Sequence, residues 1–353
     1  MSVRPHTKWS LSVGIGVIGA LIVTLVVLAF LWPSKTAGAH DVPLGIVGSA
    51  DAVAAFEDAL DASAPGVFDL TEASDRDAAV AQIEERHTYG AIVLNEAPNA
   101  PEVLTAPAAS TAVSQQLGGL AAQLQAQLSA QVAAAGGDAD AVTVAVTPIV
   151  PLSADDPNGT GLTAAAFPLT MGGMIGGIVI SLLVVGVIRR LVALGGFAVA
   201  SGLILSLVLH TWFGFVPGDY ATIALVIGIS VLGTSALIVG FTALIGTPGV
   251  AAGAILTMLV GNPISGAALP WQFLAQPWGA IGQYFVPGAS STLLRSVAYF
   301  PAADTSAQWL TLAAWAAGGI LLALAGHFRS RAAIRVPAST LEAEAPAPAP
   351  APA

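Results

Sequence analysis

Few side chains in this sequence could carry chemistry. The chain has no cysteine, so thiolate metal ligands, cysteine nucleophiles and disulfides are excluded. Its only lysines are Lys8 and Lys35. No Gly-x-x-x-x-Gly-Lys-Ser/Thr phosphate loop exists, and the chain cannot be its own ordinary P-loop ATPase. Ser49, Ser63 and His87 with nearby acids could in principle assemble a triad, but no serine sits in a nucleophile elbow. His40-Asp41 lacks a partner histidine at i+4 for a metal. The paired carboxylates Glu84-Glu85 and Asp155-Asp156 read as solvated faces and turns. His210, near the end of an apolar segment, reads as an interfacial side chain rather than a proton relay. No catalytic residue, metal or cofactor is expected, and the chain is not expected to be an enzyme.

What stands out instead is a break in an apolar helix. Gly261-Asn262-Pro263-Ile264-Ser265-Gly266 interrupts a hydrophobic segment, and non-helical backbone at membrane depth needs protein or water to satisfy it. Pro263 lacks an amide hydrogen and frees carbonyls one turn earlier. Gly261, Asn262, Pro263 and Ser265, together with Arg295 further along the chain, are therefore candidates for a transport path or lid. Residues 264–300, with Trp271, Trp278, Tyr284 and Phe285, read as a re-entrant or interfacial helical pair. Its last part, Thr292–Phe300, would be amphipathic with Arg295 reaching toward water. An ordinary interfacial loop is the plainer reading of the same residues. Gly172, Gly173, Gly176 and Gly177 give two overlapping GxxxG registers, a face for close helix packing. That packing could lie within one chain or in a homodimer.

The elements that must position these residues follow from composition. Of 353 residues, 55% are hydrophobic and 9% charged, with mean hydropathy +0.80. A soluble domain carries about 25% charge, so this composition implies a membrane protein. A span needs about 20 apolar residues. Residues 11–32, the stretch from near Pro168 to Ile188, Leu191–Phe213, Ala221–Ile245, a fifth from about Gly249 broken at 261–263, and Gln308–Phe328 make six. In that arrangement Arg4, Lys8, Arg189, Arg190, Arg329, Arg331 and Arg335 share one side, which the positive-inside rule makes cytoplasmic. Both termini (residues 1–10 and the Ala/Pro-rich tail 329–353) are then inside, and residues 33–167 are extracytoplasmic. That segment holds 17 of the 21 acids, so the acidic net charge belongs to it and offers no basic face for nucleic acid. Ala37-Gly38-Ala39 has the form of a signal-peptidase site, but the first apolar stretch exceeds the usual signal-peptide length and favours a retained anchor.

Within residues 33–167, Val42–Val47, Val67–Leu70 and Gly90–Leu94 read as strands separated by helices, a βαβαβ unit with parallel pairing. Glu102–Thr105 adds an edge strand and Val142–Val150 a final one. Ala108–Ala135 carries an apolar stripe, Val113, Leu117, Leu120, Leu124, Leu128 and Val132. This is a helix lying on its sheet or a coiled-coil seam. The five-helix membrane domain follows at 168–328.

Residues 261–300 (GNPISGAALPWQFLAQPWGAIGQYFVPGASSTLLRSVAYF), 162–177 (LTAAAFPLTMGGMIGG) and the YGAIVL strand at 89–94 carry a resemblance. Together with one span, an external domain and five spans, they resemble the YhgE/Pip-like (phage-infection-protein-like) branch of type-2 ABC exporter permeases in its actinobacterial style. The resemblance implies a permease half in the cell membrane that pairs with a second copy and a separate cytoplasmic ATPase. It implies outward movement of a hydrophobic or amphipathic substrate. The very short internal loops depart from that pattern, which usually presents a cytoplasmic coupling helix. They favour the alternative, a non-transporting envelope protein whose external domain is a binding module, secretion scaffold or phage receptor.

Overall fold

The computed structural model describes residues 8–95, 100–138 and 142–331; Arg4, Arg335 and the tail beyond Arg331 lie outside them. Among the described residues five helices are long and apolar enough to cross a membrane, as expected of a membrane protein. They are α1 (Trp9–Thr36), α5 (Thr160–Leu183), α6 (Val187–Ser206, continued to Trp212), α7 (Tyr220–Ile245) and α11 (Ser306–Arg331). The remaining helices are α2 (Ala50–Ser63), α3 (Arg76–Glu84), α4 (Thr111–Ala134), α8 (Pro248–Ala254), α9 (Trp278–Gly282) and α10 (Val286–Tyr299).

The fifth expected span differs from its expectation. α8 and its π-helical continuation Ile255–Gly261 form one apolar helix from Pro248 to Gly261. At 1.5 Å per residue it is about 21 Å long, short of the roughly 30 Å hydrocarbon core. The chain leaves it through an i→i+5 bond from Asn262 N–H to the Thr257 carbonyl, 3.0 Å. The next residue, Pro263, has no N–H with which to continue.

α7 is the hub. Thirteen of its residues are buried, and α5, α6, α10 and α11 pack on it. The glycines permit this approach. A Cβ on Gly177 would stand 2.9 Å from the Ser235 Cα, and one on Gly173 3.0 Å from the Thr234 Cβ. Gly176 faces the Phe197 ring of α6 in the same way, while Gly172 meets nothing within 4 Å. Gly173, Gly176 and Gly177 therefore pack inside the chain, whereas Gly172, expected on the same face, makes no such contact. α1 is different: none of its residues is buried. α5 turns into α6 through Val184–Gly186, and Arg190 closes the turn by donating to the Ser181 carbonyl at 2.7 Å and the Val184 carbonyl at 2.8 Å.

The α/β domain has five strands, β1 (Val42–Val47), β2 (Phe68–Glu72), β3 (Gly90–Val93), β4 (Glu102–Thr105) and β5 (Ala145–Pro148), in the order β2-β1-β3-β4-β5. β1 pairs in parallel with β2 and β3, the expected βαβαβ unit. β4 is not an edge strand: it runs antiparallel to β3 and is covered by β5, parallel to it. The long α4 excursion returns β5 to that edge. Side chains alternate between two cores. On one face Val42, Leu44, Ile92 and Val103 pack with Val113, Leu117 and Ala121 of α4 and with Phe273. On the other, Ala91, Val93 and Leu104 pack with Ala79 and Ile83 of α3 and with Phe300. The first half of α4 thus lies on its own sheet.

Glu102 ties this sheet to α3. Its carboxylate accepts from Arg76 at 2.8 and 2.9 Å and from the Thr147 hydroxyl at 2.7 Å. The Arg76 bonds hold its pKa below the ordinary glutamate value. A depressed folded pKa means the stabilisation is present above the unfolded value, about 4.3, and is lost as pH falls through the folded one. Arg76 is 43% exposed, so the pair contributes only about 0.5–1 kcal/mol. Glu102→Gln is expected to raise amide hydrogen exchange in β4 and β5 several-fold at pH 7. The gap from wild type should narrow as pH drops below about 4. An equal gap at both ends of that pH range would refute the assignment.

Candidate functional site

The chain from Asn262 to Phe300 lies between the α/β domain and the helix bundle. It first climbs to the domain, where Phe273 O accepts from Gly38 N at 2.9 Å, Gln276 donates to Asp41 at 3.0 Å and Gln272 accepts from Tyr89 OH at 3.0 Å. It then descends through α9, whose Gly282 would carry a Cβ into the Ile264 carbonyl. At the bottom, Phe285 lies against Gly261, Trp315 donates to the Tyr284 carbonyl at 2.7 Å, and Val286 meets Gly233 in the middle of α7. α10 runs back along the N-terminal half of α7 and ends with Phe300 buried under the sheet.

Two arginines join this segment to the domain. Arg86 follows α3 with φ +61°, the left-handed position that glycine usually takes at a helix C-terminus. For a side chain bearing a Cβ this costs about 1 kcal/mol. The strained backbone delivers Nη1 to the Thr292 carbonyl at 3.1 Å and the Ser296 hydroxyl at 2.6 Å, with the guanidinium 5.2 Å from the Phe300 ring centre. From the opposite side Arg295 donates to the Ala109 carbonyl at 2.7 Å. Arg295 was expected to reach toward water; instead it turns into the protein, against the domain. An amphipathic pattern cannot distinguish water from a polar cavity.

The space between these groups is a cavity of about 360 Å³ whose walls include Arg86, Thr88, Tyr89, Gln272, Gln283 and Arg295. Thr88 is 2% exposed, and its hydroxyl has no hydrogen-bond partner. Burial lowers the Arg86 pKa. Burial, and then the like charge of Arg86, lowers that of Arg295 to about 10. Burial raises the Tyr89 phenol. The carboxylates at this cavity, Glu85 and Asp304, are exposed and engaged elsewhere. Glu85 lies 3.3 Å from His87, and Asp304 accepts from the Ser306 hydroxyl at 2.6 Å.

Asn262, Pro263 and Ser265 line a second cavity of about 230 Å³ between α1, α5 and the broken segment, with Phe30, Pro33 and Phe167 opposite. Gly261 is seated beneath it against Phe285. Ser265 is buried, its hydroxyl accepting from Ala267 N at 3.3 Å and its carbonyl from Gln283 at 2.9 Å, so it shapes the turn. The two cavities share the thin wall Gly266-Ala267 and Leu269. The structure thus groups Asn262, Pro263 and Ser265 on one side of this wall and Arg295 on the other. Arg86, Thr88 and Tyr89 complete the site, and no motif in the sequence assigns them to it. The one available signal was that Arg86 is one of only three bases in the acidic segment 33–167.

Other residues prove structural. Asp156, expected on a solvated turn, is 4% exposed and caps α5. His210 donates Nδ1–H to the Val216 carbonyl at 2.8 Å. Among the described residues no cluster of histidine and acidic side chains could hold a metal. Comparison of the chain with protein-family models, curated proteins and solved structures finds no match.

Proposed function

We propose that the chain is the membrane subunit of an exporter, a permease that moves an amphipathic or hydrophobic molecule outward with energy from a separate ATPase, as its resemblance to the YhgE/Pip-like branch implies. The observation that carries this reading is the broken segment 262–300, which folds back into the bundle and leaves a polar cavity beside a pocket bordered by α1. Discontinuous helices of this kind line transport paths. On this reading Pro248–Gly261 and the stretch after it make a sixth crossing. α9 and α10 then form a re-entrant hairpin on the outer side, and both termini are cytoplasmic. A non-transporting envelope protein is the second reading. It draws support from the turns Val184–Gly186 and Gly246–Thr247, which offer an ATPase little surface.

Cysteines placed in this cysteine-free chain test the crossings. Asp58→Cys is expected to react with an impermeant maleimide in intact cells, and Thr247→Cys only after permeabilisation. Export is tested by efflux of a lipophilic dye panel from cells that express the chain with its copurifying ATPase. Asn262→Leu, made at equal expression, is expected to reduce efflux severalfold while the protein remains folded. If no ATPase copurifies and no dye leaves faster than from cells lacking the chain, the envelope reading replaces this one.

A further inference from the structure

Two guanidinium groups share the cavity with no counter-charge in contact. Among the described residues neither Arg86 nor Arg295 lies within 4 Å of a carboxylate, and the ion pairs present are Arg76 with Glu102 and His87 with Glu85. Arg86 uses only Nη1 for its bonds to α10, and Arg295 only Nη1 for its bond to Ala109. Among the described residues the Nε and Nη2 donors of both therefore have no protein acceptor, and a guanidinium presents five donors in a planar fork. Both arginines are partly buried, and cations drawn out of water are ordinarily paired. A buried threonine hydroxyl without a partner, Thr88, borders the same space. Arg86 also occupies a backbone conformation that is costly for any residue but glycine, and strain of that kind is retained where the surrounding structure has a use for it.

We propose that Arg86 and Arg295 are a recognition site for the anionic head group of an amphiphile. A phosphate or carboxylate occupies the 360 Å³ cavity, and the apolar tail lies in the adjoining 230 Å³ pocket beside α1, which shares Gly266, Ala267 and Leu269 with that cavity. The two arginines bind the anion through their free fork donors, and Thr88 adds a hydroxyl. Phe30, Phe167, Leu269 and Leu274 offer apolar surface to the tail. The inference rests on the permease reading for its biological sense, since it names the substrate class of that site. Its test is binding alone, so absent export would not remove the site and absent binding would not remove the export.

The measurement is titration of the purified full chain in nanodiscs of zwitterionic lipid with dihexanoyl phosphatidic acid, dihexanoyl phosphatidylcholine, decanoate and inorganic phosphate. Phosphatidic acid or decanoate is expected to bind at least tenfold more tightly than phosphatidylcholine. Whichever of the two binds better identifies the head group as phosphate or carboxylate. Binding of inorganic phosphate as tightly as phosphatidic acid would overturn the role of the tail. Arg295→Gln is expected to lose at least tenfold in affinity for the anionic amphiphile with phosphatidylcholine binding unchanged, and Thr88→Val about threefold. Arg76→Gln, at the opposite end of α3 from Arg86, should bind as wild type. Equal affinity for anionic and zwitterionic lipids, or a folded Arg295→Gln that binds like wild type, would overturn the proposal. If Arg295→Gln does not fold, wild type photolabelled with a diazirine-tailed phosphatidic acid decides. Adducts within Phe30–Ser34 or Asn262–Ser296 support the site, and adducts confined to the exposed faces of α6 and α11 overturn it.

Discussion

Gly177→Leu is expected to cost about 3 kcal/mol or more and to leave most of the protein misassembled in detergent. Its Cβ would stand 2.9 Å from the Ser235 Cα and 3.0 Å from the Ser235 carbonyl oxygen. Both are backbone atoms of α7, so a side-chain rotation cannot relieve the contact. Overpacking of a tight interface typically costs about 1–3 kcal/mol, and here the whole helix must move. α7 is also the packing partner of α6, α10 and α11, so displacement propagates through the bundle. Gly172→Leu is the control, because nothing lies within 4 Å of its Cβ position; a change within about 0.5 kcal/mol is expected there. Thermal unfolding and size-exclusion profiles of the two variants check this. Equal stability would mean that α5 and α7 do not approach as described. A changed oligomer size for Gly172→Leu alone would point to a contact between chains.

Asp156→Ala is expected to destabilise by about 2 kcal/mol, the upper end for loss of a helix cap. One carboxylate oxygen accepts from Thr160 N at 2.9 Å; the other accepts from Gly161 N at 2.8 Å and Leu162 N at 3.3 Å. All three amides belong to the first turn of α5, which has no earlier carbonyls to bond. The site is buried, so water cannot replace the lost acceptor cheaply. Asp219→Ala removes a similar cap from α7, but that aspartate is exposed. It is expected to cost about 1 kcal/mol or less. Asp156→Asn should recover only part of the loss, because its amide group presents donors to amide donors. Detergent thermal melts of the three variants give the order, and an Asp219→Ala melt below that of Asp156→Ala would refute it.

Charge spacing made the long helices legible, because an uncharged run of span length has few other uses. The glycine face was equally plain, although only the structure places its partners within the same chain. Short apolar runs separated by helices revealed β1, β2 and β3 with their parallel pairing. They did not reveal the neighbours of β4, because a strand's own residues say nothing about who pairs beside it. Pairing with β5 depends on where a 24-residue helix returns the chain. Asp155-Asp156 looked like a solvated turn because sequence does not show that Asp156 lies under the start of α5. Arg86 was invisible for a stronger reason. Its partner Thr292 is 206 residues away, and no local pattern connects a helix C-terminus to a helix that distant. Gly261-Asn262-Pro263 was legible as a break, but not the descent of α9 and α10 that follows it.

α1 buries no residue of its own, and its nearest ring contact, Phe30 with Phe167, spans 6.2 Å between centroids. The α/β domain is therefore positioned not by the helix that leads into it but by its floor, where Phe273 and Phe300 enter opposite faces of the sheet. In mechanical terms α1 is a tether and α10 a bearing. The sheet is fastened through Arg86 and Arg295 to α10, and α10 in turn meets the middle of α7 at Val286.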